Sequence, residues 1–209
     1  MERWSRAKSI HTEQSQVQPT RDILFGCGNG MDIKIKEKRI MNKLIHIKGD
    51  LIKLAQQGEF DVIVQGCNCF NTMGSGLAKQ IKAEIPEAYQ VDQETEAGDV
   101  NKLGNYTIAD IQVGASGFTV VNAYTQYDFN KTGETVDHFE YSSFEVILRK
   151  LEIRAGSCRF GFPLIGMGLA GGDKVRIMTL LEAFAVRANA QGGSVTLVEF
   201  AWLLIQSLL

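Results

Sequence analysis

The chain predicts an α/β sandwich built on a mixed sheet, and three observations carry that expectation. From Met41 onward, runs rich in Val, Ile and aromatic residues alternate with segments of helical pattern. Two of the runs are joined only by Val113 to Gly117 (VGASG), a link too short for a crossover, so that pair forms an antiparallel hairpin. Two glycine-rich segments, GCNCFNTMGSGLAKQI (Gly66 to Ile81) and PLIGMGLAGGDKVRI (Pro163 to Ile177), each lead from an apolar strand into a helix.

Taken in order, LIHIK (Leu44 to Lys48) is the first strand, and Leu51 to Gln57 follows as a short helix. DVIVQ (Asp61 to Gln65) is the second strand, followed by helices over Gly76 to Ile85 and Pro86 to Glu96. NYTIADIQ (Asn105 to Gln112) and FTVVNAYTQ (Phe118 to Gln126) are the arms of the hairpin. A helix over Tyr141 to Ile153 gathers Phe144, Ile147, Leu148 and Leu151 on one face. RFGFP (Arg159 to Pro163), a helix over Lys174 to Ala190, and VTLVEF (Val195 to Phe200) complete the pattern.

With 209 residues, 44% hydrophobic and 22% charged, the chain can fill one globular core. A net charge of -2 leaves no global basic footprint, which disfavours nucleic acid as a backbone-tracking partner. Cys27, Cys67, Cys69 and Cys158 form no CxxC pair, and Cys67 and Cys69 straddle Asn68 at a spacing wrong for a metal. Reduced thiols in a cytoplasm are expected, with no zinc and no cofactor. No stretch is long enough to span a membrane, and the start lacks the apolar core of a signal peptide. Residues 1 to 40 are aperiodic, with GCGNG at Gly26 to Gly30 and KIKEKR at Lys34 to Arg39, and read as an appendage. Met41 is a plausible natural start, so the segment before it is expected to be translated upstream sequence. The domain is expected over 41 to 200, and the apolar tail Ala201 to Leu209 (AWLLIQSLL) is open to packing against it, the plainer reading, or to a partner or membrane contact.

A strand that ends in glycines and hands over to a helix leaves N–H groups unpaired at the positive end of a helix dipole, which suits a phosphate. Two such loops in one domain point to a diphosphate bridged between them, outside the carboxyl ends of the strands. Neither loop ends in the GKS or GKT of a P-loop, and the first lacks GxGxxG spacing with a downstream acid.

Asn68, directly after a strand, can bond a sugar hydroxyl or close a turn through its own backbone. Gly74, Ser75 and Gly76 allow close backbone approach to a ligand, and also serve as a plain helix entry. Asp173 is by default the N-cap of the helix from Lys174, with an oxygen left to orient a water. Asp50 caps the helix from Leu51 or bonds an exocyclic amine. His11, His46 and His138 have no evident partner, and neither Cys67 nor Cys69 has an identifiable base, so covalent catalysis is unsupported. Tyr127 to Glu140 is expected to be a mobile flap, with Phe129 sealing the core edge and Tyr127 open to either that role or a sugar.

The order KGDL, VIVQGCNCFNTMGSGLAKQI, GDVNKLG, VVNAYTQ, GFPLIGMGLAGGD, TLVEF resembles a macro domain over about Leu44 to Phe200. It is most similar to the bacterial and phage branch akin to ADP-ribose 1″-phosphate phosphatases. That resemblance implies a three-layer α/β/α fold with a mixed sheet of six or more strands, and ADP-ribose or its 1″-phosphate as ligand. It further implies that Asp50 binds the adenine amine and the Leu51 backbone the adenine ring, while Asn68 meets the distal ribose. Gly74, Ser75 and Gly76 would close the first loop, and Ile165, Gly166, Met167, Gly168, Leu169 and Ala170 would cradle the diphosphate. Gln126 stands where the terminal glycohydrolases of the family carry a lysine, which argues against a lysine adduct; Lys131 nearby is no assumed substitute. Asp173 matches the family's loop aspartate, and Lys174 stands where a tryptophan is frequent. The resemblance implies removal of the 1″-phosphate, with Asp173 and Asn68 as catalytic residues. Its alternatives are a reader without turnover, or a hydrolase freeing ADP-ribose from macromolecules, nucleic acid being the less favoured carrier.

Overall fold

The computed structural model describes residues 43–131, 133–134 and 136–200. The appendage over 1–40 and the tail over 201–209 lie outside them. Six strands form one sheet: β1 (Ile45–Lys48), β2 (Val62–Asn68), β3 (Tyr106–Val113), β4 (Ser116–Gln126), β5 (Arg159–Phe162) and β6 (Ser194–Glu199). Their spatial order is β1-β6-β5-β2-β4-β3. All neighbours are parallel except β3 and β4, the hairpin joined through Gly114, so the sheet is mixed as expected.

Helices α1 (Leu51–Gln56), α2 (Gly76–Glu84), α3 (Pro86–Gln93), α4 (Tyr141–Ala155) and α5 (Lys174–Ala190) cover both faces. On one face, Val62, Val64, Phe160, Phe162, Val195 and Leu197 pack against α4 and α5, where Phe144, Ile147, Leu148, Leu181 and Phe184 are buried. On the other, Ile63, Val120 and Val198 meet Leu51, Ile52, Ile81 and Ala88 of α1, α2 and α3. The result is three layers, α/β/α. Val62, Ile63 and Val64 of β2 are fully buried because helices cover both of its faces, which is why that strand reads as a continuous apolar run.

The observed strand β2 runs past Gln65 to Asn68. Cys67 and Asn68 still pair with Tyr124 and Gln126 of β4, with a register shift between them. The first glycine loop therefore starts at Cys69, and Asn68 is held in the sheet. Helix α4 likewise continues beyond Ile153 to Ala155, which is buried against the same core.

Candidate functional site

Both glycine loops leave the carboxyl ends of parallel strands, the first after β2 and the second after β5, which are neighbours in the sheet. The loops face one another: a Cβ built on Gly76 would lie 4.0 Å from Cδ1 of Leu169.

In the second loop the carbonyls are tied to protein. Gly166 O accepts from Gly172 N (2.9 Å), Gly168 O from Gly171 N (2.9 Å), and Ala170 O from His138 N (2.9 Å). Leu169 O accepts from Asn130 Nδ2 at 2.9 Å. Among the described residues, the amides of Gly168, Leu169 and Ala170 donate to no protein acceptor. Successive N–H groups left in this way are able to receive an anion. Gly166 is required by its backbone, at φ 73°, and by space, since a Cβ there would lie 2.3 Å from the Phe139 ring. Gly168 has nothing within 4 Å of its missing Cβ.

The first loop is fastened from beneath. Asn68 Oδ1 accepts from Phe70 N (2.9 Å), and its Nδ2 donates to Thr72 Oγ1 (2.7 Å) and Thr72 O (3.2 Å). Of the two roles open to Asn68, turn closure is the one formed in this structure. Asn71, at φ 59°, is the only non-glycine residue at positive φ among the described residues. Its Nδ2 donates to Thr95 O (2.8 Å), its carbonyl accepts from Gln93 Nε2 (2.8 Å), and its Oδ1 accepts from Lys102 Nζ.

Lys102 is only 6% exposed. Its ammonium also donates to Thr95 Oγ1 (2.6 Å) and Cys69 O (3.2 Å), lies over the Tyr124 ring, and stands 3.9 Å from Asp92 Oδ1. Tyr124 OH donates to the same carboxylate oxygen at 2.8 Å. Burial pushes the Asp92 carboxyl above the ordinary range, against the opposing pull of the Tyr124 hydrogen bond and Lys102. Nothing in the sequence marks Lys102 as buried: in GDVNKLG it reads as one more surface lysine.

Ser75 is the N-cap of α2 without a side-chain cap bond, so the amino end of that helix is left open; Gly76 there has φ 55°. Asp50 caps α1, with Oδ1 accepting from Ile52 N (3.0 Å) and Lys53 N (3.2 Å), while Oδ2 lies 3.8 Å from Lys53 Nζ. Leu51 beside it is buried. Gln126 ends β4 and donates through Nε2 to Asp128 O at 2.7 Å.

Asp173 is the N-cap of α5, as its default reading has it: Oδ1 accepts from Arg176 N at 2.8 Å. Its own N–H donates to Tyr141 OH (2.7 Å), which donates in turn to Asp137 Oδ2 (2.7 Å). The Arg176 guanidinium stacks on the Tyr141 ring at 3.7 Å.

Burial raises the thiols of Cys67 and Cys69, so both stay protonated and are poor nucleophiles. Among the described residues no group of three or more His, Cys, Asp or Glu gathers to hold a metal, and no helix is long and apolar enough to cross a membrane.

The segment after β4 is more firmly tied than a free flap. Besides the Asn130 and His138 bonds, Glu140 N donates to Thr125 O (2.7 Å), and Phe139 is buried and bridged to Gln126. Tyr127 is structural: its OH donates to Gly98 O (3.1 Å) and its ring meets Phe70 edge-on. Phe129 does not seal the core edge, being 37% exposed and outside the core clusters.

No family model matches the chain. A phage T4 protein described as an uncharacterized 17.5 kDa protein in the tk-vs intergenic region is 32% identical over 145 residues, 67% of this chain and 88% of that protein. The macrodomain of Thermus aquaticus DarG superposes with a TM-score of 0.54 at 18% identity, over 76% of this chain and 97% of that one. A Trypanosoma brucei macrodomain solved in complex with ADP-ribose gives a TM-score of 0.53 at 13% identity, over 76% of this chain and 63% of that one.

Proposed function

We propose that the chain, which shares its fold with the macrodomains it superposes on, is itself a macro domain that binds ADP-ribose along the carboxyl-end rim of its sheet and hydrolyses ADP-ribose 1″-phosphate. The observation that carries the reading is the second loop, where carbonyls are tied to protein and the amides of Gly168, Leu169 and Ala170 are left for an anion. Facing it lies the open amino end of α2 at Ser75 and Gly76, where only a Cβ added to Gly76 would come within 4.0 Å of Leu169 Cδ1. A diphosphate held between the two loops sends adenine toward Asp50 and Leu51 and the distal ribose toward Asn68 and Gln126.

Asp50 has one carboxylate oxygen committed to its cap and the other facing only Lys53, so the second can accept from the adenine amine. Asp173 is in the same position: Oδ1 is fixed by Arg176 N, and Oδ2 is left to hold a water. In the reaction that water attacks phosphorus and gives its proton to the carboxylate. The bond from phosphorus to the 1″ oxygen breaks, and the oxygen leaves with the electron pair and takes up a proton. Loop amides stabilise the charge that builds on the phosphate oxygens.

A reader without turnover is the second reading, and it has its own support. The Asn68 amide is consumed by Phe70 and Thr72, and Asp173 serves as a helix cap. Gln126 in place of a lysine disfavours removal of ADP-ribose from macromolecules by a lysine adduct.

The test is phosphate release from ADP-ribose 1″-phosphate by the wild type and Asp173→Asn, with ADP-ribose binding measured by calorimetry on the same preparations. Asparagine caps a helix as well as aspartate, so the fold is spared while the base is removed. Loss of release with binding intact supports the phosphatase. Binding without release in either protein makes the chain a reader or a hydrolase of another ADP-ribose linkage, and no heat with ADP-ribose refutes the site altogether.

A further inference from the structure

We propose that Asn130, in the segment after β4, sets the polarity of the anion cradle in the second loop; this rests on the reading of that loop as the diphosphate site. The Asn130 amide acts as a clasp with every polar atom in use. Oδ1 accepts from Val136 N (2.8 Å), and Nδ2 donates both to Val136 O (2.8 Å) and to Leu169 O (2.9 Å). Among the described residues Leu169 O has no other donor.

A trans peptide carries its carbonyl and the following N–H on opposite sides, and the described chain has no cis bonds. Drawing Leu169 O toward Asn130 therefore turns the Ala170 N–H the other way, off the segment that supplies the clasp. One peptide earlier, Gly171 N holds Gly168 O, which turns the Leu169 N–H away from the turn in the same manner. The two amides are aligned by two different anchors, and one of them is a side chain from outside the loop.

The loop offers a partial substitute for the clasp. Gly168 to Gly171 is a β-turn closed by that Gly171 N bond, and neither Leu169 nor Ala170 has positive φ. Flipping its middle peptide would convert it to the turn form that needs positive φ at Ala170, which a Cβ disfavours. Asn130 and the Ala170 methyl thus guard the same peptide orientation by independent means. Remove one and the other still biases the loop; remove both and the Leu169 carbonyl is free to face the phosphates.

The experiment is a double-mutant cycle of Asn130→Ala and Ala170→Gly, with ADP-ribose affinity by calorimetry, adenosine affinity by NMR titration, and the folded fraction checked by urea denaturation. Adenosine carries no phosphate and reports general damage to the cleft. Asn130→Ala is expected to weaken ADP-ribose roughly three- to tenfold, the worth of one such hydrogen bond, with adenosine unchanged. The loss in the double variant is expected to exceed the product of the two single losses. An Asn130→Ala protein that binds ADP-ribose like the wild type, or that loses both ligands in equal proportion, overturns the proposal. So does a double variant whose loss only equals the product. A wild type that binds no ADP-ribose overturns the diphosphate reading, and this inference falls with it.

Discussion

Gly166 and Gly168 stand two residues apart in one loop, yet substituting each with alanine should have very unequal consequences for stability. At Gly166 the backbone lies at φ 73°, where an L side chain costs about 1–2 kcal/mol. The new Cβ would also fall 2.3, 2.4 and 3.0 Å from three atoms of the Phe139 ring. That ring is buried at 3% exposure with Tyr141 and Phe144 edge-on to it, so it cannot swing clear, and such overpacking costs about 1–3 kcal/mol. Together the loss is about 2–5 kcal/mol. At Gly168 the φ is ordinary and the space is open, so Gly168→Ala should stay within about 0.5 kcal/mol of the wild type. Urea denaturation with the slope held as a check on two-state behaviour measures both. Repeating Gly166→Ala in a Phe139→Leu background should recover part of the cost and leave the backbone share. Equal losses at the two glycines, or a loss below about 1 kcal/mol at Gly166, would refute the assignment of this loop's shape to Gly166 and Phe139.

Lys102→Met should cost about 3–5 kcal/mol, because it leaves the Asp92 carboxylate buried without its cation and strips Asn71 of a donor; adding Asp92→Asn should restore part of it, read by denaturant midpoint. Asp92 also predicts a pH dependence. Its folded-state pKa lies above the unfolded value, so the native protein holds the proton more tightly; this contribution is fully present below the ordinary carboxylate range and is lost as pH rises through the raised value. Denaturation midpoints across that window should decline for the wild type, and Asp92→Asn should flatten that decline. Asp50→Ala should lose about 1 kcal/mol with the cap, whereas Asp50→Asn keeps the cap. If Asp50 reads the adenine amine, calorimetry with ADP-ribose and its hypoxanthine analogue will find the asparagine variant discriminating less between them.

Regular elements were legible wherever local pattern and tertiary packing agree. The helix faces of Phe144, Ile147, Leu148 and Leu151, and the caps at Asp50 and Asp173, follow from spacing and short-range hydrogen bonding, and the structure bears them out. Strand β2 exceeds its apolar run because pairing with β4, distant in sequence, extends it through Cys67 and Asn68. The buried ammonium of Lys102 was illegible for the same kind of reason: its partners come from the first loop and the end of α3, and no periodicity relates them. Asn130 and Tyr141 likewise gain their roles only when the segment after β4 folds back on the second loop. Short-range pattern thus fixes what each loop offers a ligand, while the residues that hold the loops in shape come from elsewhere in the chain.

The strand order has a consequence for how such a protein comes off the ribosome. Strand β6 lies between β1 and β5, with Ile45 beside Thr196 and Phe160 beside Val195. Among the described strands the first is therefore an orphan throughout most of synthesis, with nothing to pair with until the sixth has emerged. Closing so long a loop is entropically costly and slow. Asp50 caps the helix just after the first strand, where Gly49 N donates to Glu199 O of β6, so the rim is finished last at the end proposed for adenine, and a nascent chain should gain its grip on a nucleotide in a single late step.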